Sequence, residues 1–254
     1  MTQNGIQNEI DFVKSLNGKK LYQLSKNMQD LLKVIFLDIN SKSTIACWQS
    51  KYYEKADIKI KINNELRGLS IKTGRFCSMH QESTKKFYPF LIKIGVDTKI
   101  INLFDNFMHG TINNKKVDAS TYIKYHEPEI TVIRKTFNEY YTKANLIIRF
   151  LFQGTEIQKY DCDAIIYGTP TNFLWATKHE ILNFLLNYEI KKYNHINISA
   201  LNIKNYDRNL KNIKSRKEKE NQIQVKWYFL KEDLMYIIKL REAKNIKNNR
   251  YTSQ

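Results

Sequence analysis

Two short alternating segments joined by a polar turn constrain the fold of this chain more than any other feature of its sequence. Residues 56–74 read ADIKIKINNELRGLSIKTG, and isoleucine occupies every second position of the first segment. This alternation is typical of a strand with one buried face, because successive side chains of a strand point to opposite sides. The Asn and Gly residues of NNELRG favour a tight turn. The sequence therefore predicts a β-hairpin.

The polar face of this hairpin brings charged residues together. If Ile62 pairs with Arg67 across a four-residue loop, Asp57 lies opposite Lys72 and diagonal to Ser70. The loop must have an even length, because a slip of one residue would turn Asp57 towards the isoleucine face. The hairpin thus predicts an aspartate, a lysine and a serine on one side of a sheet.

An aspartate and a lysine in this arrangement suit the hydrolysis of phosphodiester bonds. Asp57 can bind Mg²⁺, or Mn²⁺, through one oxygen. Lys72 can orient the attacking water, help to deprotonate it, or stabilise the charge that develops on phosphorus. Ser70 can coordinate or hydrogen-bond but brings no charge. Because a hard cation needs more anionic ligands than Asp57 alone, a further acid must come from elsewhere in the chain.

Two glutamates are candidates for that acid. Glu9 falls inside the apolar arc of a helix predicted over residues 6–16, where a carboxylate is costly without a cation; the alternative is a hydrated, frayed first turn. Glu82 lies on a helix predicted over residues 78–88 by a capping-box pattern, and its alternative is a surface ion pair with Lys86. The residues themselves leave both candidates open.

The segment EKADIKIKINNELRGLSIKTG resembles the PD-(D/E)xK nuclease core of restriction endonucleases and their relatives. Asp57 matches the acid of the first strand, and Ser70-Ile71-Lys72 matches the (D/E)xK tripeptide. The match departs from the family pattern at Ser70, which replaces the acid, and at Ala56, which replaces the proline. The resemblance covers only this short part of the chain.

The resemblance also bears on the missing acid. Some restriction enzymes carry Ser-x-Lys at this place with the second acid moved to the next helix, which implies Glu82 here. An inward glutamate on an N-terminal helix also recurs in the superfamily, and Glu9 occupies a similar place. The family implies catalytic roles for Asp57, Lys72 and Ser70, with Asp57 and one of the two glutamates binding the metal.

The family resemblance implies a fold and an activity. It implies a central mixed β-sheet flanked by helices, dependence on Mg²⁺, and cleavage of double-stranded DNA as by type II restriction enzymes. Cutting both strands favours a homodimer, since two sites must address two antiparallel strands. A restriction system implies a cognate methyltransferase. Two alternatives stay open: a defence or repair nuclease acting on another form of DNA or on RNA, and a non-catalytic nucleic-acid-binding protein.

Helical and strand patterns alternate along the rest of the chain, which indicates an α/β or α+β class. Short apolar or alternating runs predict strands at 145–154, 162–168, 196–203 and 223–230. We expect a catalytic core over residues 1–160. Residues 161–254 form a basic C-terminal part that completes the same continuous domain and contacts nucleic acid.

An excess of basic residues favours a polyanionic partner. Among 254 residues, 42 Lys and Arg face 25 Asp and Glu, a formal net charge of +17. The loop over 204–219 is especially basic; it is either a DNA-contacting segment or a solvated charged loop. Arg208 is the candidate for reading a base edge. The predicted nucleic-acid-binding residues are Lys204, Tyr206, Arg208, Asn209, Lys211, Lys214, Arg216, Lys217 and Lys226.

Cysteine usage and the N-terminal sequence bear on the compartment. The three cysteines form no CxxC pair, so a structural zinc site is not expected. The odd cysteine number, the absence of a secretory pattern at the N-terminus and the lack of a long apolar run predict a cytoplasmic protein without a membrane partner.

Overall fold

The computed structural model describes residues 3–51, 54–155, 161–190, 195–205 and 221–251. Helices and strands are mixed along the chain. In chain order, the elements are α1 (Gln3–Leu16), α2 (Lys26–Ile35), β1 (Ala46–Gln49), β2 (Ile58–Ile62), β3 (Glu65–Lys72), β4 (Cys77–Ser83), α3 (Thr84–Lys93), α4 (Thr98–His109), β5 (Thr111–Ile112), β6 (Lys115–Lys116), α5 (Ala119–Tyr125), α6 (Glu127–Asn138), α7 (Tyr140–Ile148), β7 (Cys162–Thr169), β8 (Asn172–Thr177), α8 (Lys178–Leu186), β9 (Ile196–Ile198), β10 (Leu201–Asn205), β11 (Gln222–Trp227) and α9 (Leu230–Tyr251).

The chain divides into two compact units, each made of discontinuous segments. The first unit comprises Met1–Arg75, Phe152–Phe184 and Phe229–Gln254, and the second comprises Phe76–Leu151 and Leu185–Tyr228. Both units therefore take residues from each side of position 160, where the catalytic core was expected to end within one continuous domain. The reason is pairing between distant segments, since β3 and β7 are parallel neighbours in one sheet.

The first unit is built on a five-stranded mixed sheet in the order β1-β2-β3-β7-β8. Only the β3–β7 pair is parallel; the other pairs are antiparallel. Helices α1 and α2 cover one face with Phe12 and Leu31, which pack in one cluster with Ile58, Ile60 and Leu69 of the hairpin. Burial of this apolar surface stabilises the hairpin, at about 25 cal/mol per Å² removed from water.

The predicted hairpin exists, but its register differs from the predicted one by two residues. Ile62 pairs with Glu65, not with Arg67, so the loop holds two residues rather than four. Asn63 adopts a φ of 51°, which allows this tight turn without glycine. Because two is also an even number, Asp57 stays on its predicted face of the sheet. Ile58 pairs with Leu69, so Asp57, one residue earlier, lies opposite Ser70.

Gly68, which the sequence assigned to the turn, lies within β3 for another reason. A Cβ at this position would meet the backbone oxygen of Asp161 at 2.7 Å and the Cβ of Ala56 at 2.8 Å. Its backbone N–H also donates to Asp163 Oδ2 at 2.8 Å. The glycine therefore allows the close approach of neighbouring backbone that packs β3 against the start of β7.

The second unit is built on a four-stranded antiparallel sheet in the order β4-β11-β10-β9. Alternate residues of its strands, such as Ile203 and Val225, are fully buried on one face. An aromatic cluster that includes Phe87, Phe104 and Phe137 joins helices α3, α4 and α6. This unit thus has its own apolar core.

Two of the predicted elements are wrong, and a third is divided into two strands. Residues 77–83 form a strand rather than the start of a helix, because they pair with β11, a partner from a distant part of the sequence. Residues 145–154 are the end of α7 and a short π-helix, since a short apolar run also fits a buried helix. Residues 196–203 are two strands, β9 and part of β10, with Ser199 turning at a φ of 54°.

The strand predicted at 162–168 is confirmed as β7, and the one predicted at 223–230 is confirmed up to Trp227, where β11 ends. The mixed α/β class is also confirmed. In the part of the chain that the structure describes, none of the helices combines the length and apolar character needed to cross a membrane.

Candidate active site

Asp57 lies directly before β2 and is fixed by the backbone of both neighbouring strands. Its N–H donates to Leu69 O at 2.8 Å, and its carbonyl accepts from Ser50 N at 3.0 Å. The first bond continues the β2–β3 ladder and the second continues the β1–β2 pairing. The position of the Asp57 side chain is therefore set by the sheet.

One oxygen of the Asp57 carboxylate collects three donors. Oδ2 accepts from Ser70 Oγ at 2.9 Å, from Ile71 N at 2.6 Å and from Lys72 Nζ at 2.8 Å. The other oxygen, Oδ1, takes no hydrogen bond from the described residues. The carboxylate is thus oriented through one oxygen and leaves the other for a ligand.

Lys72 is the last residue of β3, and its ammonium is held between two acceptors. Besides Asp57 Oδ2, Nζ donates to Ile71 O at 3.2 Å. The side chains of Lys72 and Asp57 are 16% and 17% exposed, so the pair is largely desolvated but reachable from solvent. A charge at such a partly buried position acts more strongly on a bound phosphate than one in bulk water.

Glu9 points inward from α1, as its position in the apolar arc suggested. It is 8% exposed, and Gln49 Nε2 of β1 lies 3.3 Å from its Oε2. Burial raises the pKa of Glu9, the negative charge of Asp57 raises it further, and the Gln49 hydrogen bond and the Lys72 charge lower it. Since the charges of Asp57 and Lys72 both act on Glu9, these three groups share one electrostatic site.

Glu82, the other candidate acid, lies on β4 in the second unit and is fully occupied by protein partners. Arg149 donates from Nε to Oε1 at 2.8 Å and from Nη2 to Oε2 at 2.6 Å, and His80 Nε2 lies 3.0 Å from Oε1. Burial alone would raise the pKa of Glu82, but the hydrogen bonds and charges of Arg149 and His80 hold it below its usual range. This arrangement is a buried ion pair.

Gln49 and Ser50 are residues that sequence reasoning missed. Gln49 orients Glu9, and Ser50 binds the Asp57 carbonyl through its backbone. The Ser50 hydroxyl is buried and has no hydrogen-bond partner in the described part of the chain. No strand was predicted at β1, because the four residues carry no alternation strong enough to indicate one.

The donor chemistry of this site fits a hard divalent cation. The available ligands are Asp57 Oδ1 and the Glu9 carboxylate, with the unpartnered Ser50 hydroxyl close to Asp57. Within the described ranges, no group of three or more His, Cys, Asp and Glu side chains could hold a metal ion. A site with two carboxylates suits Mg²⁺, which keeps several of its waters, and does not suit Zn²⁺.

Two of the predicted nucleic-acid-binding residues lie on the sheet of the second unit. Lys204 of β10 places its ammonium 5.1 Å from the centroid of the Tyr228 ring, and Lys226 is half-buried on β11. The remaining residues lie outside the described part of the chain: Tyr206, Arg208, Asn209, Lys211, Lys214, Arg216 and Lys217.

Comparisons with known proteins support the fold at the level of architecture. No protein-family model matches the sequence. No curated protein matches it either. Among solved structures, the chain is similar to restriction endonuclease MspI, solved in complex with its cognate DNA, with a TM-score of 0.53 and 13% sequence identity. The match covers 82% of this chain and 84% of that chain. The fold is therefore restriction endonuclease-like, as the hairpin resemblance implied.

Proposed function

We propose that this chain is a metal-dependent endonuclease that hydrolyses phosphodiester bonds of double-stranded DNA. The observation that carries the proposal is the Asp57–Lys72 pair, in which one carboxylate oxygen is bonded and the other is open beside the buried Glu9. The restriction endonuclease-like fold and the net charge of +17 are consistent with a DNA substrate.

Asp57 and Glu9 would hold the cation, Mg²⁺ or Mn²⁺. A bound divalent ion supplies Lewis-acid stabilisation of the phosphate and lowers the pKa of a coordinated water. We assign the second carboxylate to Glu9 because its charge interacts with Asp57 and Lys72, whereas both oxygens of Glu82 already bind Arg149. The raised pKa of Glu9 means that a cation would relieve an existing electrostatic cost.

The chain's own residues have distinct roles in this proposal. Lys72 directs an ammonium N–H at the phosphate or at the attacking water and stabilises the negative charge of the transition state. Ser70 is a positioning residue, since its hydroxyl donates to the Asp57 oxygen that Lys72 also binds. Gln49 positions Glu9 in the same way.

The type II restriction role, with a homodimer and a cognate methyltransferase, belongs to the same proposal. A chain with one such site cuts both strands of a duplex most simply as a pair related by a two-fold axis. Sedimentation of the protein with and without duplex DNA tests the dimer.

A non-catalytic DNA-binding protein is the second candidate, and one observation favours it. Ser70 stands where the family pattern has an acid, so the site holds one carboxylate fewer than that pattern provides. On this alternative the fold and the charge persist while the metal affinity is lost.

Plasmid cleavage separates the two candidates. The full chain is incubated with supercoiled plasmid in Mg²⁺, in Mn²⁺, and in each with excess EDTA. Discrete linear fragments that disappear on chelation are the expected result. A gel shift of the plasmid without cleavage in either metal would support the binding protein and contradict the nuclease.

A further inference from the structure

One face of the four-stranded sheet in the second unit is polar and basic. Alternation places the buried residues Ile203, Val225 and Trp227 on one face of β10 and β11. The opposite face, which we call the amide face, carries no acidic residue among the strand positions described. Its exposed and half-exposed members are Ser78, Gln81 and Ser83 of β4, Gln222, Gln224 and Lys226 of β11, and Lys204 of β10. Asn202 of β10 and Asn197 of β9 lie on the same side but are buried and hydrogen-bond each other, so they are not part of the exposed surface.

Two glutamines form a cross-strand pair on the β4–β11 side of this face. Gln81 and Gln224 are direct partners in the β4–β11 ladder, so their Cβ atoms are separated by roughly 5 Å. Gln81 is exposed and Gln224 is half-exposed, and neither side-chain amide has a hydrogen-bond partner in the described part of the chain. Each amide therefore presents a donor and an acceptor to an external ligand.

Basic and aromatic side chains surround the glutamine pair. Lys204 is paired with Gln224, and Lys226 lies two residues further along β11. Tyr228 follows β11 and keeps the alternation of Gln224 and Lys226, so it lies on the same side as the amide face. Its ring contacts Phe76, which is 56% exposed. A face with lysines and free amides and without carboxylates matches the chemistry of a nucleic acid, which combines phosphates with base edges.

The position of the pair within the sheet suits the major groove of a duplex. β4 is an edge strand, so β4 and β11 form a two-stranded ribbon along one side of the sheet. Strands lie about 4.8 Å apart, and the major groove, about 12 Å wide, admits a two-stranded ribbon. In that position, the glutamines would face base edges and Lys204 on the neighbouring β10 would face the phosphate backbone.

We infer that the amide face is a sequence-reading surface for double-stranded DNA, with Gln81 and Gln224 bonding adenine. The inference rests on the proposed function for the identity of the substrate. A glutamine amide pairs with adenine N6 and N7 in bidentate fashion, so the pair specifies adenine at one or two positions of a site. Lys204 and Lys226 add affinity that does not depend on sequence.

A selection experiment in EDTA tests this surface without relying on cleavage. The full chain is incubated with a pool of DNA duplexes that share a randomised central segment, and bound duplexes are sequenced. The wild type is expected to enrich a motif that contains adenine. Gln81→Ala and Gln224→Ala are expected to lose the adenine preference and about tenfold to a hundredfold of affinity for the selected duplex, while keeping their affinity for random duplexes.

Lysine variants provide the contrast. Lys204→Ala and Lys226→Ala are expected to weaken binding to all sequences alike and to reduce the salt slope of log K by about one each. Lys99→Ala and Lys124→Ala, at exposed positions of the same unit, are matched controls that should change neither quantity. Thermal denaturation verifies that each variant folds.

The outcomes for the surface and for the nuclease are separate. The inference is overturned if the wild type enriches no motif, if both glutamine variants keep the adenine preference, or if single-stranded competitor displaces the duplex at equal concentration. If the wild type does not cleave DNA in Mg²⁺ but still enriches adenine, the proposed catalytic function is contradicted and this binding surface is supported.

Discussion

Lys72 Nζ lies 2.8 Å from Asp57 Oδ2, and the Ser70 hydroxyl and the Ile71 N–H bind that same oxygen. Concentrating three donors on one oxygen fixes the carboxylate and leaves Oδ1 open to a ligand. The relationship connects the proposed chemistry to the fold, because a two-residue turn in the hairpin sets the register that brings these residues together.

Lys72→Ala is expected to reduce DNA cleavage by at least about a hundredfold, because the transition state loses a preorganised positive charge. DNA affinity should change little, since one phosphate contact among many is removed. Single-turnover cleavage and a binding titration in EDTA measure the two effects. Lys61→Ala, an exposed lysine of the same hairpin, is the matched control and should cut normally. Equal loss of cutting and binding in Lys72→Ala would contradict the role proposed for it.

Glu9→Gln is expected to stabilise the metal-free protein at neutral and alkaline pH. The pKa of Glu9 is higher in the folded protein than in the unfolded chain. Its contribution to the free energy of unfolding is therefore fully present below the pKa of the unfolded chain and is lost as the pH rises through the pKa of the folded protein. The neutral glutamine avoids that loss. Thermal denaturation from pH 4 to pH 8 should therefore show a melting temperature for the variant that is close to that of the wild type in acid and higher than that of the wild type at pH 8.

Added Mg²⁺ should make the wild type more stable than Glu9→Gln at pH 8. The wild type gains stability by binding the ion, whereas Glu9→Gln has lost a ligand and is expected to bind at least about tenfold more weakly. Denaturation at pH 8 with increasing MgCl₂ measures the gain. The same Mg²⁺-dependent stabilisation in both proteins would exclude Glu9 as a ligand.

Glu82→Gln is expected to destabilise the fold by about 3–5 kcal/mol, because it leaves the guanidinium of Arg149 buried without its anion. Metal affinity should be unchanged. Asp30→Asn is the control, since Asp30 also pairs with a cation, Lys26, but both side chains are exposed (44% and 77%), so the change should cost less than about 1 kcal/mol. Urea denaturation compares them. Loss of Mn²⁺ binding in a folded Glu82→Gln protein would instead favour Glu82 as the metal ligand.

Ser70→Ala is expected to reduce stability by about 1 kcal/mol, since a buried hydroxyl that donates to Asp57 is removed. Ile71 N and Lys72 Nζ still hold the carboxylate, so cleavage should persist at a lower rate. Ser70→Thr, which keeps the hydroxyl, should recover most of the rate. Complete loss of cleavage in Ser70→Ala with normal folding would indicate a direct catalytic role for the hydroxyl.

The hairpin was predictable because its information is local. Alternating isoleucines define the buried face, and any even loop length keeps Asp57, Ser70 and Lys72 on the other one. The register was missed because Asn63 adopts a positive φ, which shortens the loop without glycine. Helical periodicity placed Glu9 in the apolar arc of α1 but left a hydrated first turn as the alternative.

The features that were missed depend on partners far apart in the sequence. The capping pattern at Ser78 and Gln81 is local, but pairing with β11 decides that these residues form a strand. Gln49 reaches Glu9 only because β1 joins the edge of the hairpin. The ion pair of Glu82 with Arg149 likewise joins residues 67 positions apart, and sequence periodicity carries no signal for it.

The most direct test of the central claim is a measurement of Mn²⁺ binding by the wild type and by Asp57→Asn in the presence of duplex DNA, paired with plasmid cleavage by the same samples. The account predicts that the wild type binds Mn²⁺ and cuts, and that Asp57→Asn folds and binds DNA but neither holds the ion nor cuts. Equal Mn²⁺ binding by the two proteins, or metal-independent cutting by the wild type, would contradict it.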